Sequence, residues 1–305
     1  MAYVKRAWGI LRETASDWSE DKAPRLGAAL AYYTLFSLAP LLIVVIGIAG
    51  LVFGEDAARG QLFEQIRGLV GDQSAKAIQD MVASARTPSS GMMATVLGVV
   101  TLLVGASGVF GELQDSLNTV WGVTPKPGRG MKGIIKDRFF SLTMVLGTGF
   151  LLLVSLVLTA ALSAAGGSLR ALTPGLEAVA HVIEAVLSFS VITVLFALIS
   201  KVLPDAKIGW KEVWVGAAFT SLLFVIGKSA IGLYLGHAGI ASAYGAAGSL
   251  VVILVWVYYS AQILLFGAEL TKVYANRLGS RVEPAPDAIR ITKKQRAEQG
   301  MPRSA

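Results

Sequence analysis

The chain has no cysteine and only two histidines in 305 residues. Without cysteine there can be no disulfides, thiolate nucleophiles or cysteine-ligated metals, whereas histidine and carboxylate sites remain available. Charge is scarce as well, since 15% of the residues are Asp, Glu, Lys or Arg and 54% are hydrophobic. A soluble domain of this length needs more polar surface than this composition supplies. Most of the chain is therefore expected to face lipid or other apolar helices.

Long segments without a charged residue are the main positive signal. Residues 26–54, 87–111 and 139–169 contain no Asp, Glu, Lys or Arg, and each exceeds the roughly 20 residues that a helix needs to cross a bilayer. Weaker apolar segments follow them. The sequence predicts an all-α, polytopic membrane protein with six transmembrane helices, at about 26–54, 90–111, 139–164, 179–201, 213–235 and 248–272.

The distribution of basic residues predicts the topology of these spans. If the loops alternate between the two sides, 21 of the 27 lysines and arginines fall on one side and five on the other. Basic loops stay in the cytoplasm, so both termini are expected there. A nucleic-acid partner is not expected, because the bases are spread along loop ends and form no patch interleaved with aromatic residues.

Three segments outside the spans have their own patterns. Residues 1–25 predict an amphipathic helix, either on the inner membrane surface or packed on the cytoplasmic ends of the spans. Residues 55–88 predict a small outer cap of two short helices that break near Gly71 and Asp72. Residues 276–305 are polar, basic and contain proline, so they predict a disordered tail that contacts anionic lipids.

One cation stands deep in a predicted span. Lys228 lies in the outer half of the fifth span, at a depth comparable to that of Glu184 and His181 in the fourth. Intramembrane charges usually face the bundle interior and find a partner. We expect Lys228 either to pair with Glu184, with His181 nearby, or to extend its ammonium to the outer headgroups. Further candidates for structural or cavity-lining roles are Pro40, Tyr32, Tyr33, Gln262 and Glu269.

One motif raises the question of catalysis. Gly105-Ala106-Ser107-Gly108 matches the Gly-x-Ser-Gly pattern of intramembrane serine proteases. The predicted topology places Ser107 about 22 Å below the outer end of its helix, whereas His181 and His237 lie at the outer ends of other spans. No general base would reach the serine, so the glycines are interpreted as a packing motif. We expect no enzymatic activity, cofactor or metal.

Three blocks of sequence resemble one known family. They are Arg25 to Leu41, Leu117 to Val123, and Gly248 to Leu270, supported by Leu203-Pro204-Asp205. In this order they resemble the YihY/BrkB family of bacterial inner-membrane proteins, long mislabelled as ribonuclease BN. The resemblance implies a six-span inner-membrane protein linked in places to serum resistance. It brings no agreed substrate or catalytic residue.

Two classes of function fit these patterns. The first is transport or translocation of a small molecule or lipid-like compound, which a proline-containing first span and glycine-rich segments would permit. The alternative is a non-catalytic envelope scaffold that recruits partners through its outer cap and basic tail. The substrate and the oligomeric state are open at this point.

Overall fold

The structure is a computed structural model that describes residues 2–85, 92–127, 143, 177–237, 247–298 and 300–301. Within these residues it is almost entirely helical. The predicted third span, 139–164, lies outside the described residues except for Thr143. The described helices are α1 (Ala2–Glu20), α2 (Ala23–Phe53), α3 (Glu55–Val70), α4 (Asp72–Ala85), α5 (Met92–Trp121), α6 (Glu177–Val202), α7 (Trp210–His237), α8 (Gly248–Leu278) and α9 (Lys293–Glu298).

Three described helices are long and apolar enough to cross a membrane. They are Ala23–Leu51 within α2, Trp210–Ile231 within α7, and the whole of α8. In α6, residues Ser188–Val202 form a shorter apolar segment. Each coincides with a predicted span, and this supports a multi-pass membrane protein. The number six is not established by these helices.

Helix α2 lies between α5 and α8, and glycines on α5 allow a close approach. The Pro40 ring lies so close to Gly105 that a β-carbon on the glycine would lie 3.1 Å from the proline Cγ. One turn further along α5, a β-carbon on Gly108 would lie 3.2 Å from the Ser37 hydroxyl. The Ser107 hydroxyl donates to Val104 O of its own helix at 2.8 Å. The Gly-x-Ser-Gly segment thus serves helix packing here.

Helices α7 and α8 interlock through a reciprocal pair of contacts. The side chain of Thr271 on α8 occupies the space where Gly216 on α7 lacks a side chain, and Thr220 on α7 fills the equivalent space at Gly267 on α8. Each threonine hydroxyl also donates to the carbonyl of the glycine four residues before it, at 2.7 and 2.8 Å. The two helices therefore approach closely without an unpaired hydroxyl.

Helices α3 and α4 form a hairpin that folds back along α2. They break at Gly71, whose φ of 81° is a conformation that favours glycine, as the sequence predicts. Near the first turn Ala58 packs against Ala49 of α2. Further along, apolar residues of both hairpin helices join one cluster with α2 and α8. Its buried members are Ala39, Leu42, Ile46, Ile78, Val82 and Ile253.

The segment after α8 is ordered, so the prediction of a disordered tail is wrong for the residues described there. Strand β1 (Val123–Pro125) pairs with β4 (Ala288–Arg290), and β2 (Ala206–Lys207) pairs with β3 (Glu283–Pro284), both antiparallel. Helix α9 follows. Polar composition suggested disorder, but backbone hydrogen bonds to two interhelical loops hold the segment in place. We call residues 279–301 the C-terminal segment.

A buried charge cluster at the terminal face

Helix α1 stands beside the end of α8, antiparallel to it. Glu13 forms an ion pair with Arg277, and Gln262, several turns earlier on α8, donates to Ala23 O at 3.3 Å. The chain between α1 and α2 turns at Lys22, whose φ is 53°. Helix α1 thus packs on the ends of the spans, one of its two predicted placements, and its contact with the inner membrane surface stays a prediction. We call this end of the molecule, where both termini lie, the terminal face.

Lys272 on α8 is the centre of an ion network at this junction. Its Nζ lies 2.6 Å from Glu269 Oε2, 3.1 Å from Asp17 Oδ2 and 3.4 Å from Asp21 Oδ2. Arg296 of α9 forms an ion pair with the other oxygen of Asp21. We call Asp17, Asp21, Glu269, Lys272 and Arg296 the charge cluster.

Four of the five members of the charge cluster are largely shielded from solvent. The exposed fraction of the side chain is 0% for Glu269, 1% for Asp21, 13% for Arg296 and 14% for Lys272, whereas it is 30% for Asp17. Buried charges are tolerated only when they are paired, because desolvation costs several kcal/mol per ion. Removing Lys272 would leave the buried Glu269 carboxylate without its cation, and removing Arg296 would leave Asp21 with Lys272 alone. The cluster therefore ties the α1–α2 junction, α8 and α9 to one another.

Two further acidic residues anchor the C-terminal segment. Asn118 Nδ2 donates to Asp205 Oδ2 at 3.1 Å, and Asn118 Oδ1 accepts from Asp205 N at 2.8 Å. The carbonyl of Asp205 accepts from Ala285 N of the segment at 2.9 Å. In the first turn of α7, Glu212 Oε1 accepts from Ser280 N, just after the end of α8, at 3.0 Å. The two acidic residues thus connect the α6–α7 loop and the start of α7 to the segment.

A cavity of about 320 Å³ lies next to the charge cluster. It is lined by the end of α1, the end of α5, the last turns of α8 and the C-terminal segment. Its lining includes charges of both signs, from Glu20, Arg290 and members of the cluster, together with Trp121 and Asn276. The structure thus has a polar, partly open cavity directly beside its buried ion network.

The predicted site residues are distributed unevenly over the fold. Glu269 lies in the charge cluster. Gln262 lies over Gly27 and joins α8 to the start of α2. Pro40 packs against α5. By contrast, Tyr32 and Tyr33 are 59% and 44% exposed on α2, where Tyr32 packs against Phe36 with ring centroids 4.8 Å apart.

The predicted pair on the fourth and fifth spans is only partly described. Lys228 lies on α7 with an exposed side chain, and no described side chain forms an ion pair with it. Glu184 and His181 lie on α6, which packs against α7, but their side chains are outside the described part of the structure. The proposed pairing of Lys228 with Glu184 stays a prediction.

Asp17, Asp21, Lys272 and Arg296 were not recognised from the sequence as site residues. A signal was present, since Asp17 and Asp21 are four residues apart and Glu269 and Lys272 three apart, and each pair shares one helix face. Read alone, each pair resembles an ordinary surface pair. Only the packing of α1 against α8 brings the two faces together.

Comparison with known proteins gives a consistent result. A family model described as "Virulence factor BrkB" matches residues 14–292. Similar curated proteins include the UPF0761 membrane proteins of Verminephrobacter eiseniae (29% identical, covering 82% of this chain and 59% of the relative), Pseudomonas aeruginosa (28%, 82% and 59%) and Rhodospirillum centenum (27%, 93% and 61%). The chain thus spans about three-fifths of the length of these relatives. No solved structure matches it.

Proposed function

The chain belongs to the BrkB family of membrane proteins, and from this premise we propose that it transports or translocates a small molecule or lipid-like compound across the bacterial inner membrane. In this proposal the terminal face is cytoplasmic, in keeping with the bias of basic residues, and it is closed in the state described here. The α3–α4 hairpin lies on the outer side. The observation that carries the proposal is the buried charge cluster at the terminal face.

An ion network suits a closure that must open and close. Desolvation offsets much of the attraction within a buried ion pair, so its net stabilisation is small while both partners stay together. If opening exposes both partners to water at once, its free energy is therefore far smaller than that of removing one partner alone. Asp17 and Asp21 precede the first span, Lys272 and Glu269 end the last, and Arg296 belongs to α9. Separating these three segments would open the terminal face.

The hairpin supplies the second part of the proposal. Its apolar residues pack against α2, while charged residues such as Glu64, Arg67 and Asp72 are exposed and form ion pairs of 2.8 and 2.9 Å at its tip. Because the hairpin folds back along α2, its tip lies nearer the membrane centre than its base does. Charged groups at that depth require water or protein partners. A water-filled vestibule open to the outer side would provide them.

Vesicles that contain the purified protein test this proposal. We expect movement of labelled phospholipids, or of members of a panel of small solutes, across the vesicle membrane. An Asp21→Asn/Arg296→Gln variant should change the rate, because it weakens the closure while removing both partners of one ion pair. A Lys294→Gln variant, in which an exposed charge of α9 is lost, should behave like the unmodified protein. The absence of movement in every case would favour the scaffold instead.

A further inference from the structure

The wall of the cavity beside the charge cluster contains one cationic and one anionic side chain that form no ion pair with a described residue. Lys272 is engaged by three carboxylates, and Arg296 by Asp21. Arg290 has one described contact, a hydrogen bond to Val282 O at 2.8 Å. Among the described residues, the Glu20 carboxylate accepts a hydrogen bond only from the Ser16 hydroxyl, at 3.3 Å. The wall of the cavity therefore presents a guanidinium and a carboxylate that are not neutralised by each other or by the cluster.

Two buried donors in the same wall have no acceptor. Trp121 is 4% exposed, and its Nε1, like Nε of Arg296, has no hydrogen-bond partner among the described residues. A buried donor that lacks an acceptor costs about 1–3 kcal/mol. Both side chains line the cavity. Neither nitrogen atom is itself open to the cavity, so the donor that an anionic, acceptor-rich group meets first is Arg290, while Glu20 calls for a cationic donor.

The depth of the cavity relative to the bilayer indicates where such a ligand could come from. Trp210 and Trp214 are 49% and 44% exposed at the start of α7, and exposed tryptophans mark the headgroup level of a bilayer. Because α7 and α8 are antiparallel and Gly216 meets Thr271, Lys272 lies close to this level. The cavity is thus at the depth of phosphate and ammonium groups of lipids.

From these features we propose that the cavity binds a zwitterion that carries a phosphate and a primary ammonium, the chemistry of an ethanolamine headgroup. The phosphate accepts hydrogen bonds from Arg290, and from Arg296 Nε and Trp121 Nε1 once these side chains turn toward it, and the ammonium donates to Glu20. A trimethylated ammonium has no N–H to donate and is bound less well. The volume of about 320 Å³ is at the small end of the range for ligand sites and accommodates such a group. This binding does not depend on whether the protein transports anything.

Titration of the purified protein in phosphatidylcholine nanodiscs tests the site. Phosphoethanolamine should bind at least about tenfold more tightly than inorganic phosphate or ethanolamine alone, since either half forfeits charge-assisted hydrogen bonds. A second arm uses nanodiscs that contain equal amounts of phosphatidylethanolamine and phosphatidylcholine, with native mass spectrometry of the retained lipid. Binding of the soluble compound indicates a free ligand, retention of phosphatidylethanolamine alone indicates a lipid ligand, and either result supports the proposal.

Four variants make the result specific to the cavity. Arg290→Gln should abolish binding of both probes, and Glu20→Gln should remove the preference over inorganic phosphate and over phosphatidylcholine. Lys294→Gln and Glu298→Gln are the matched controls, because both change charge on the exposed face of α9 and should leave binding unchanged. If neither probe binds, or if binding survives both cavity variants, the proposal is overturned. Unchanged thermal midpoints would show that the variants are folded.

Discussion

Three carboxylates surround Lys272 at distances between 2.6 and 3.4 Å, and two of them, from Asp21 and Glu269, are almost fully buried. The energetics of this residue differ from those of an exposed cation. Its attraction to the carboxylates offsets the free energy that is needed to remove all these groups from water. If the lysine alone is lost, the desolvation of the buried carboxylates is no longer offset. The consequences of substitution at this one position are correspondingly large.

We predict that Lys272→Met lowers the free energy of unfolding by about 3–5 kcal/mol. Combining it with Glu269→Gln should recover part of that loss, because the double variant has one fewer buried carboxylate without a partner. Chemical unfolding in detergent micelles measures the free energy of unfolding of the single variant, the double variant and the unmodified protein. The exposed Lys228 is the matched control, and Lys228→Met should change stability by much less. Equal losses at both lysines would contradict the burial argument.

The sequence identified one residue of the charge cluster, Glu269, but not its partners, because these come from distant parts of the chain. A buried carboxylate near the end of the last span is recognisable as unusual, which is why Glu269 was a candidate. Its partners come from residues 17, 21 and 296, and no local pattern reveals which helices meet. The exposed Tyr32 and Tyr33 show the converse, since a polar group on an apolar helix fits a cavity and a membrane surface equally well.

At the scale of single elements, glycine decides how closely α7 and α8 pack. We predict that Gly216→Ala destabilises the protein by about 1–3 kcal/mol, because the added methyl group would overlap the Thr271 side chain. Gly47→Ala is the control, since no atom of the described residues lies within 4 Å of its β-carbon position on α2. That change should be neutral or slightly stabilising. Thermal unfolding of the two variants is the measurement, and equal midpoints would argue against the interlock.

The C-terminal segment supplies a second prediction at this scale. Ala285 N and Ile291 N donate to carbonyls of interhelical loops at 2.9 Å each, so both amides should exchange slowly with solvent deuterium. In an isolated peptide of residues 279–305 these partners are missing, and both amides should exchange at rates typical of unfolded chains. Mass spectrometry after deuterium labelling compares the two. Fast exchange in the intact protein would support the disordered tail that composition suggested.

Helices were predictable where the sequence pattern that indicates them lies within one stretch of the chain. The long apolar segment of α2 and the break at Gly71 between α3 and α4 follow from runs of residues that are adjacent in the chain. Strands β1 to β4 have only two or three residues each, and β1 pairs with a partner more than 160 residues away. Strands that short carry no periodic signal, and they exist only because the folded bundle brings their loops together.

At the scale of the whole molecule, the bias of basic residues predicts that the terminal face is cytoplasmic. Single cysteines can test this without background, since the chain has none. Asp56→Cys, exposed at the base of α3, and Lys294→Cys, 87% exposed on α9, should react oppositely with an impermeant thiol reagent. In intact spheroplasts the first should be labelled, and the second only after lysis. Labelling of the second cysteine before lysis would reverse the topology.

The central claim is that the charge cluster is a closure that opens, and the reactivity of a cysteine behind it is the most direct measurement. Ser116 on α5 is fully buried, lies between one and two turns before the end of that helix, and differs from cysteine by one atom. In vesicles with the terminal face accessible, Ser116→Cys should react slowly with an impermeant thiol reagent. Adding Asp21→Asn and Arg296→Gln should raise the rate at least about tenfold, whereas adding Lys294→Gln should not. If Ser116→Cys stays equally protected when the ion pair is removed, the charge cluster is a static structural bond and the account is contradicted.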